Sequence, residues 1–556
     1  MARTAIGETK RSDFDSCAIV LAPQTEYSVV CLPPRNKRPV LPILWRWALI
    51  LLLGLLFLEG CGGSSSSSAP AAVVPPPPDP LAAAEVQSVV QAAAASVNSP
   101  LVIAVADRMG APLAVFRTTG VASNATSIGN FGQTAGAEDL ALALARTAAF
   151  FSNDQAPLSS RTVRFISGIH FPPGVAFAPN ADLYGIENTN RGCSFNAAYL
   201  PGQSLPPAVS LAGGNGSGLG VITGKADTMD SDPNAVNPGG VPLFRNNGGV
   251  LELVGGVGVV SVTGNLSIAE FAAFSGSANS GFLPLQLVPA PGVVVIGGIS
   301  LPFVNETTQP SGTTPGAAAG TYDLGPIAGG LPPEGYLVGP SAGAMLTQSD
   351  VSTIISQAIA TASITRAVIR LPDGSRTRMT IAVDDLNGNL LAVYRMHDGT
   401  VFSTDVAVAK SRNVIWFSSP AGAVDLPGVP PGTAVTNRTI GFGAQPLFPP
   451  GIDNSAPGPF FNLYLNDVAH PCTQGSDPNF PQYQSGIVFF PGSLPLYKNG
   501  VLVGGLGVSG DGVDQDDFVT YGGAQGFLAP SNITADNVVI ENVRLPYQKF
   551  PRNPTD

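Results

Sequence analysis

The sequence predicts an α+β fold built twice, each copy an antiparallel sheet flanked by helices. Three observations predict it. Residues 103–117, IAVADRMGAPLAVFR, recur at 381–395 as IAVDDLNGNLLAVYR. Residues 161–174, RTVRFISGIHFPPG, recur at 438–451 as RTIGFGAQPLFPPG. Gly110 thus recurs as Gly388 and Arg161 as Arg438, and the two offsets agree to within one position. So constant an offset over that distance marks duplicated domains, because solenoid repeats recur every ~20–50 residues. Within each copy the hydrophobic period runs helix, hairpin, helix, long loop, hairpin, helix, the pattern of an α+β module.

Each element has its own justification. In the first copy, Val86, Val89, Val90, Ala93 and Val97 recur at helical spacing after Leu81. In the second, Val351, Ile354, Ile355, Ala358 and Ala362 repeat that face after Leu346. Glu85 and Asp350 fall in the first turn, where a negative charge suits the macrodipole. A hairpin follows, 101–106 and 112–116 around Asp107 to Gly110, then 379–383 and 390–394 around Asp385 to Gly388. Asx and Gly supply the positive-φ turn positions. Second helices are expected over 139–151 and 404–417. Late hairpins lie at 242–259 and 495–510, with Asn-Gly turns at 247–248 and 499–500. Last helices are expected near 268–274 and 515–521. The loops in the middle of each copy run to about 60–75 residues, lengths that normally carry function or surface additions.

The boundaries follow: a signal segment at 1–60, a Ser/Pro tether at 61–80, a first module at 81–289, a junction at 290–345, a second module at 346–535 and a tail at 536–556. Within the junction, Val293 to Ile296 suits an extra strand and Thr307 to Gly320 a linker.

Only 12% of residues are charged, about half the usual share of roughly 25%. The 65 Gly and 52 Pro require many turns, and the net charge of −11 argues against a sequence-independent grip on nucleic acid phosphate. Residues 47–58, WALILLLGLLFL, form a short apolar core preceded by Arg35, Lys37, Arg38 and Arg46. That is a secretory signal pattern, too short to favour a spanning helix. Leu58-Glu59-Gly60-Cys61 resembles a bacterial lipoprotein signal. The resemblance implies cleavage before Cys61, lipid on its sulfur, and a place in the cell envelope, at the outer membrane or cell surface. Cys193 and Cys472 are then left, one per copy and near-equivalent in the repeat. They fit either a bridge near the axis relating the copies or two separate buried thiols. Neither belongs to a C-x-x-C pair, which argues against zinc.

The order of four features resembles the GlcG/HbpS-type haem-binding family, also seen as the carboxy-terminal domain of PduO-type proteins. They are an apolar helix, I-A-V-x-D-x-x-G with a following L-x-A-x-x-R, a second helix, and PLYKNGVLVGGLGVSGD with Gln515-Asp516-Asp517 downstream. The second copy carries all four; the first has GVVSVTGN in place of the last block. The resemblance covers about half of residues 81–530. It implies a profilin-like sheet flanked by helices, self-assembly, haem or a related tetrapyrrole as ligand, and a pseudo-dimer of the two copies.

Haem needs an apolar slot, an axial donor and cations for its propionates. Three histidines are available, His170, His397 and His470. His397 follows the returning strand in Arg395-Met396-His397-Asp398-Gly399 and is the candidate axial ligand, against an exposed turn histidine. Arg117 and Arg395 occupy equivalent strand ends, and Arg161 and Arg438 are equivalent too. A retained Arg suits an anionic ligand edge, or a salt bridge that pins a loop. Tyr497 is a further candidate contact, although Phe244 in its place in the first copy suits core packing. Arg366, Arg370, Arg376 and Arg378 make a basic run on an added hairpin of the second copy, by default solvated. Asp511, Asp514, Asp516 and Asp517 offer oxygens that calcium favours, without EF-hand spacing. The glycines at 504, 505, 507 and 510 lack the Lys of a phosphate loop. No Ser-His-Asp set stands out, so an enzyme ranks third. First stands an exported, lipid-anchored, non-enzymatic binding protein for haem or a related tetrapyrrole. Second stands a cell-envelope structural or interaction protein whose copies have lost the pocket.

Overall fold

The computed structural model describes residues 17–19, 29–31, 79–128, 134–163, 237–288, 292–450, 452, 454–469 and 485–556. The chain forms two compact units, Met1–Pro76 and Pro77–Asp556. In the first, Cys17–Ile19 pairs antiparallel with Val29–Cys31. The apolar stretch 47–58, Cys61, Cys193, Cys472, His170 and His470 lie outside the described residues. Among the described residues no helix is long and apolar enough to cross a membrane.

The second unit holds both copies. The first begins with α1 (Ala83–Ser96), β1 (Leu101–Asp107), β2 (Pro112–Thr118) and α2 (Ala137–Phe151). It continues with β3 (Gly240–Asn247), β4 (Val250–Ser261) and α3 (Leu266–Asn279). The junction holds a short antiparallel hairpin, Val293–Ile296 with Ile299–Pro302, which includes the expected extra strand, and then β5 (Gly320–Leu324) and β6 (Gly335–Val338). The second copy is α4 (Gln348–Ile364), β7 (Thr380–Asp385), β8 (Leu390–Arg395), α5 (Phe402–Ser418), α6 (Asn437–Gly443), β9 (Ser493–Lys498), β10 (Val501–Ser509) and α7 (Val513–Gly523). Both five-stranded sheets are antiparallel and share one order, β5-β2-β1-β4-β3 and β6-β8-β7-β10-β9. The expected α+β architecture is therefore present in both copies.

Alternation along the central strand divides each core, as a pleated strand buried on both faces must. Leu101, Ile103 and Val105 of β1 face α1 and α3, and Val102, Ala104 and Ala106 face α2. In the second copy, Ile381 and Val383 join Val351, Ile354, Ile355 and Val519 of α4 and α7. Two glycines in each late hairpin pack against a helix, while Gly504 and Gly510 lie against Asp384 and against Arg378 and Met379. A Cβ at Gly256 or Gly258 would run into the carbonyl oxygens of Ala145 and Ala141 on α2. At Gly505 and Gly507 it would meet those of Ser411 and Ala407 on α5. These contacts align the two helices, placing Lys410, Ser411 and Arg412 where the first copy has Leu144, Ala145 and Arg146.

The junction does more than link. β5 and β6 each add the outer strand beside β2 and β8, with Tyr322 opposite Phe116 and Tyr336 opposite Tyr394. The register then slips in both, and each segment runs on to similar hydrogen bonds. Ile327 N donates to Leu113 O (3.0 Å) and Gly329 N to Leu81 O (2.8 Å). Ser341 N donates to Leu391 O (3.0 Å) and Gly343 N to Leu346 O (2.9 Å). The sequences match as well, YDLGPIAGG at 322–330 and YLVGPSAGA at 336–344. In the second copy this strap precedes its module; in the first it follows.

The copies meet through Phe151 and Phe402, stacked with centroids 4.2 Å apart, and through Val401 N donating to Phe150 O (3.1 Å). Beside them Asp398, at φ 56°, accepts from Arg108 of the first copy and from Arg370. Arg370 also donates to Asp511 and is fully buried, which corrects the expectation of a solvated hairpin there. Although burial opposes charge on Asp398, Arg370 and Arg108 hold its carboxyl well below the usual carboxylate range.

Candidate functional site

The expected arginines are placed by internal partners. Arg117 donates to Asp323 Oδ1 (2.6 Å) and Val121 O (2.7 Å). Arg161 makes a bidentate pair with Glu270 (2.7 and 2.9 Å). Arg438 binds Asp517 and Asp514 (2.6 Å each). Arg395 is fully buried and donates to the carbonyls of Pro333 (3.1 Å) and Gly399; burial pushes its guanidinium down to about 9. His397 has 70% of its side chain exposed, with Nδ1 2.9 Å from Glu334 Oε2, and that hydrogen bond raises it. Tyr497 is buried in the second copy, which pushes its hydroxyl up to about 12. Five of these six, Arg117, Arg161, Arg395, Arg438 and His397, thus hold a carboxylate partner in the structure, Arg395 through Glu334 Oε1 (3.7 Å).

The acidic run also differs from the calcium reading. Asp514 and Asp517 are taken by Arg438, Asp511 by Arg370, and Asp516 by Lys410 (2.9 Å). Among the described residues no group of His, Cys, Asp or Glu is placed to hold a metal ion.

A cleft of about 270 Å³ opens at the start of α7. None of the six predicted residues lines it. Its apolar walls are Val368, Ile369, Phe402, Phe490, Val513 and Pro551. Arg366 and Arg552 are also in the lining, on the added hairpin and the C-terminal tail. The tail is fixed there: Lys549 N donates to Asp517 Oδ2 (3.0 Å), and Pro554 O accepts from Arg366 N (2.7 Å). Ser509, Asp514, Gln515 and Asp516 supply the rest of the polar wall.

Below this wall lies a buried pair. Lys410 Nζ donates to Asp516 Oδ2 (2.9 Å) and to Val508 O (2.8 Å), and lies 4.6 Å from the Phe490 ring centroid. Burial pushes the Asp516 carboxyl up to about 7 against the pull of Lys410, and burial lowers Lys410. Asp516 Oδ1 has no hydrogen-bond partner. Nearby on the sheet, Asp384 accepts from Ser411 Oγ, and burial pushes it up to about 7 as well. The first copy has Ala106 and Leu144 in place of Asp384 and Lys410. A sequence signal existed for this network: KSRN interrupts the apolar run of α5 where α2 reads LART.

The cleft fits part of a haem group. Its apolar walls and two arginines suit a macrocycle and its propionates. Its iron is not provided for, since no His, Tyr, Cys or Met is among the lining residues.

Residues 346–525 match a family model described as "Haem degrading protein HbpS-like". No curated protein matches the chain. Solved structures with similarity include the Klebsiella pneumoniae protein ORFY, of the DUF336 family, at 18% identity and a TM-score of 0.21, covering 32% of this chain and 88% of that one. They include the PduOC:heme complex at 18% identity and 0.22, covering 33% and 96%. A double mutant of Streptomyces reticuli HbpS is similar at 16% identity and 0.19, covering 33% and 88%. The second copy, residues 346–525, is a domain of the HbpS-like, GlcG/HbpS-type family.

Proposed function

We propose that the chain is an exported, lipid-anchored binding protein whose second module takes haem or a related tetrapyrrole, without a catalytic step of its own. The cleft at the start of α7 carries this reading. Six apolar residues wall it, and Arg366 and Arg552 offer cations to a dicarboxylate edge. The description of the matched family, which names haem, supports the ligand class. The stretch Leu58 to Cys61 supports the anchor. The modules then work as an intramolecular pseudo-dimer, one carrying the cleft and the other bracing it through Phe151 and Arg108.

Titrating the full-length chain with haemin and with metal-free protoporphyrin IX tests the reading by absorbance. Saturable one-to-one binding of either is expected. The paired change Arg366→Ala and Arg552→Ala weakens it roughly three- to tenfold, the scale of two partly exposed charge contacts. If neither compound binds, the reading falls and the structural or interaction role takes its place. The anchor has its own test: Cys61→Ser moves the protein out of the membrane fraction, and unchanged partition rejects it.

A further inference from the structure

We infer that the rim of β2 is a strand-accepting surface, and that two copies of this chain exchange β5 across it to form a strap-swapped dimer. This goes beyond the ligand reading and does not depend on it.

The molecule fills the same kind of surface twice. β5 and β6 are different segments, yet they seat alike on β2 and β8. Tyr322 packs on Phe116 with ring centroids 4.8 Å apart, and Tyr336 on Tyr394 at 5.0 Å. Past the register slip each strap presents a glycine to the hairpin aspartate. A Cβ on Gly329 would meet the Asp107 Cβ at 3.0 Å, and one on Gly343 would meet the Asp385 Cβ at 2.8 Å. The straps share Tyr-x-x-Gly-Pro-x-Ala-Gly, starting at Tyr322 and at Tyr336. The rim therefore reads an aromatic ring, an extended backbone and a position without a side chain. β6 reaches its rim from ahead of its module, and β5 from behind. Since either approach serves, the seat is independent of how the strap is tethered, and a second chain can present it.

Of the two straps, β5 is held less firmly. No residue of 320–330 is buried, whereas Leu337 of β6 is. The ion pair of β5, Arg117 with Asp323, is partly exposed, and such pairs contribute little. Ahead of β5, segment 303–319 spans up to about 55–60 Å when extended. Behind it, Pro333 O accepts from Arg395 (3.1 Å) and Glu334 Oε1 from Asp398 N (3.0 Å), which keeps donor and acceptor copies close. Reciprocal exchange fills both rims and leaves no strand edge open.

The test uses two full-length chains with different tags. Thr119 N donates to Ala319 O (3.1 Å), and both residues are exposed where β2 and β5 begin to pair. Opposed positions on paired strands lie within disulfide reach. One chain carries Thr119→Cys alone and the other Ala319→Cys alone; they are co-expressed, oxidised and run on a non-reducing gel. A covalent heterodimer is expected. Mass spectrometry of the joined peptides identifies the 119–319 bridge and separates it from bridges of the chain's own five cysteines. Adding Gly329→Val to the Ala319→Cys chain blocks its seat and abolishes the heterodimer. A heterodimer that survives Gly329→Val at full yield is chance collision and overturns the inference. A chain with both cysteines that bridges within itself, while the mixed single variants do not join, overturns it too. If the double variant forms no 119–319 bridge of either kind, the strap does not seat on this rim, and the inference falls with it.

Discussion

The two copies solve one folding problem with different interiors. Both sheets have the same order, and both second helices approach them over paired glycines. The face of α2 toward the sheet is apolar, with Leu144 and Ala145 against Ala104 and Ala106. The matching face of α5 carries Lys410 and Ser411, bonded to Asp516 and Asp384. The first copy thus shows that this fold needs no charge at those positions. Buried ion pairs are on average no more stabilising than well-packed apolar replacements. Stability alone therefore does not account for the polar interior of the second copy.

The largest effect expected from breaking this comparison lies where the copies touch. Asp398→Ala leaves Arg108 and Arg370 buried without their shared carboxylate, and about 3–5 kcal/mol of stability is lost. Urea denaturation measures it; a loss below ~1 kcal/mol would show that the copies do not depend on this contact.

Next comes Lys410→Met alone, which strands Asp516. Roughly 3 kcal/mol is lost near pH 8, and less below pH 6, where the raised carboxyl takes up a proton. The paired apolar change at Lys410 and Asp516 stays within about 1 kcal/mol of wild type, imitating the first copy. A paired change as damaging as the single one would mean that the charges are structural after all.

Asp384→Ala imitates the first copy at a third position, and its effect depends on pH. The folded chain keeps a proton on Asp384 up to about 7, whereas the unfolded chain releases it near the ordinary 3.8. This group's contribution to stability is thus present below 3.8 and lost as pH rises through about 7. Thermal melts from pH 4 to 8 should show the variant gaining on wild type as pH rises. A constant difference would place the ionisation elsewhere.

The smallest effect concerns the straps. Tyr322→Ala and Tyr336→Ala each remove one aromatic pair, with Phe116 and Tyr394 respectively. Each costs about 0.5–1.5 kcal/mol beyond lost area. Equal losses support equivalent roles; a loss confined to one copy separates them.

The fold was legible because its signals are local. Hydrophobic period, Asx-Gly turns and the near-constant offset between the copies placed the three helices and two hairpins expected in each copy close to their observed positions, but not the helices Asn437–Gly443 and Phe461–Ala469 in the expected long loop. The second helices, for example, begin at Ala137 and Phe402, just ahead of the expected 139 and 404. The straps escaped because Tyr322 and Tyr336 stand close together in the chain, whereas the modules repeat over a far longer distance. One strap also stands on the opposite side of its module in chain order. The site was less legible because its partners are far apart in sequence. Arg108 meets Asp398 across 290 positions, and Lys410 meets Asp516 across 106. Sequence reasoning found Arg366 and Asp516 as charges but not as neighbours. It singled out His397, while the adjacent Asp398 is among the residues that join the copies. Arg117, Arg161 and Arg438 followed the bland reading, each held in a salt bridge.

The late position of β5 imposes a schedule on synthesis. The first sheet has its hydrogen-bonding rim along β2 uncovered until Gly320–Leu324 leaves the ribosome, well after β4 has ended at Ser261. An open rim of that kind invites pairing with another chain. A truncated product ending near residue 289 would carry that rim permanently, and only a cleavage ahead of Gly320 followed by loss of the strap would bring a finished module to the same exposed state.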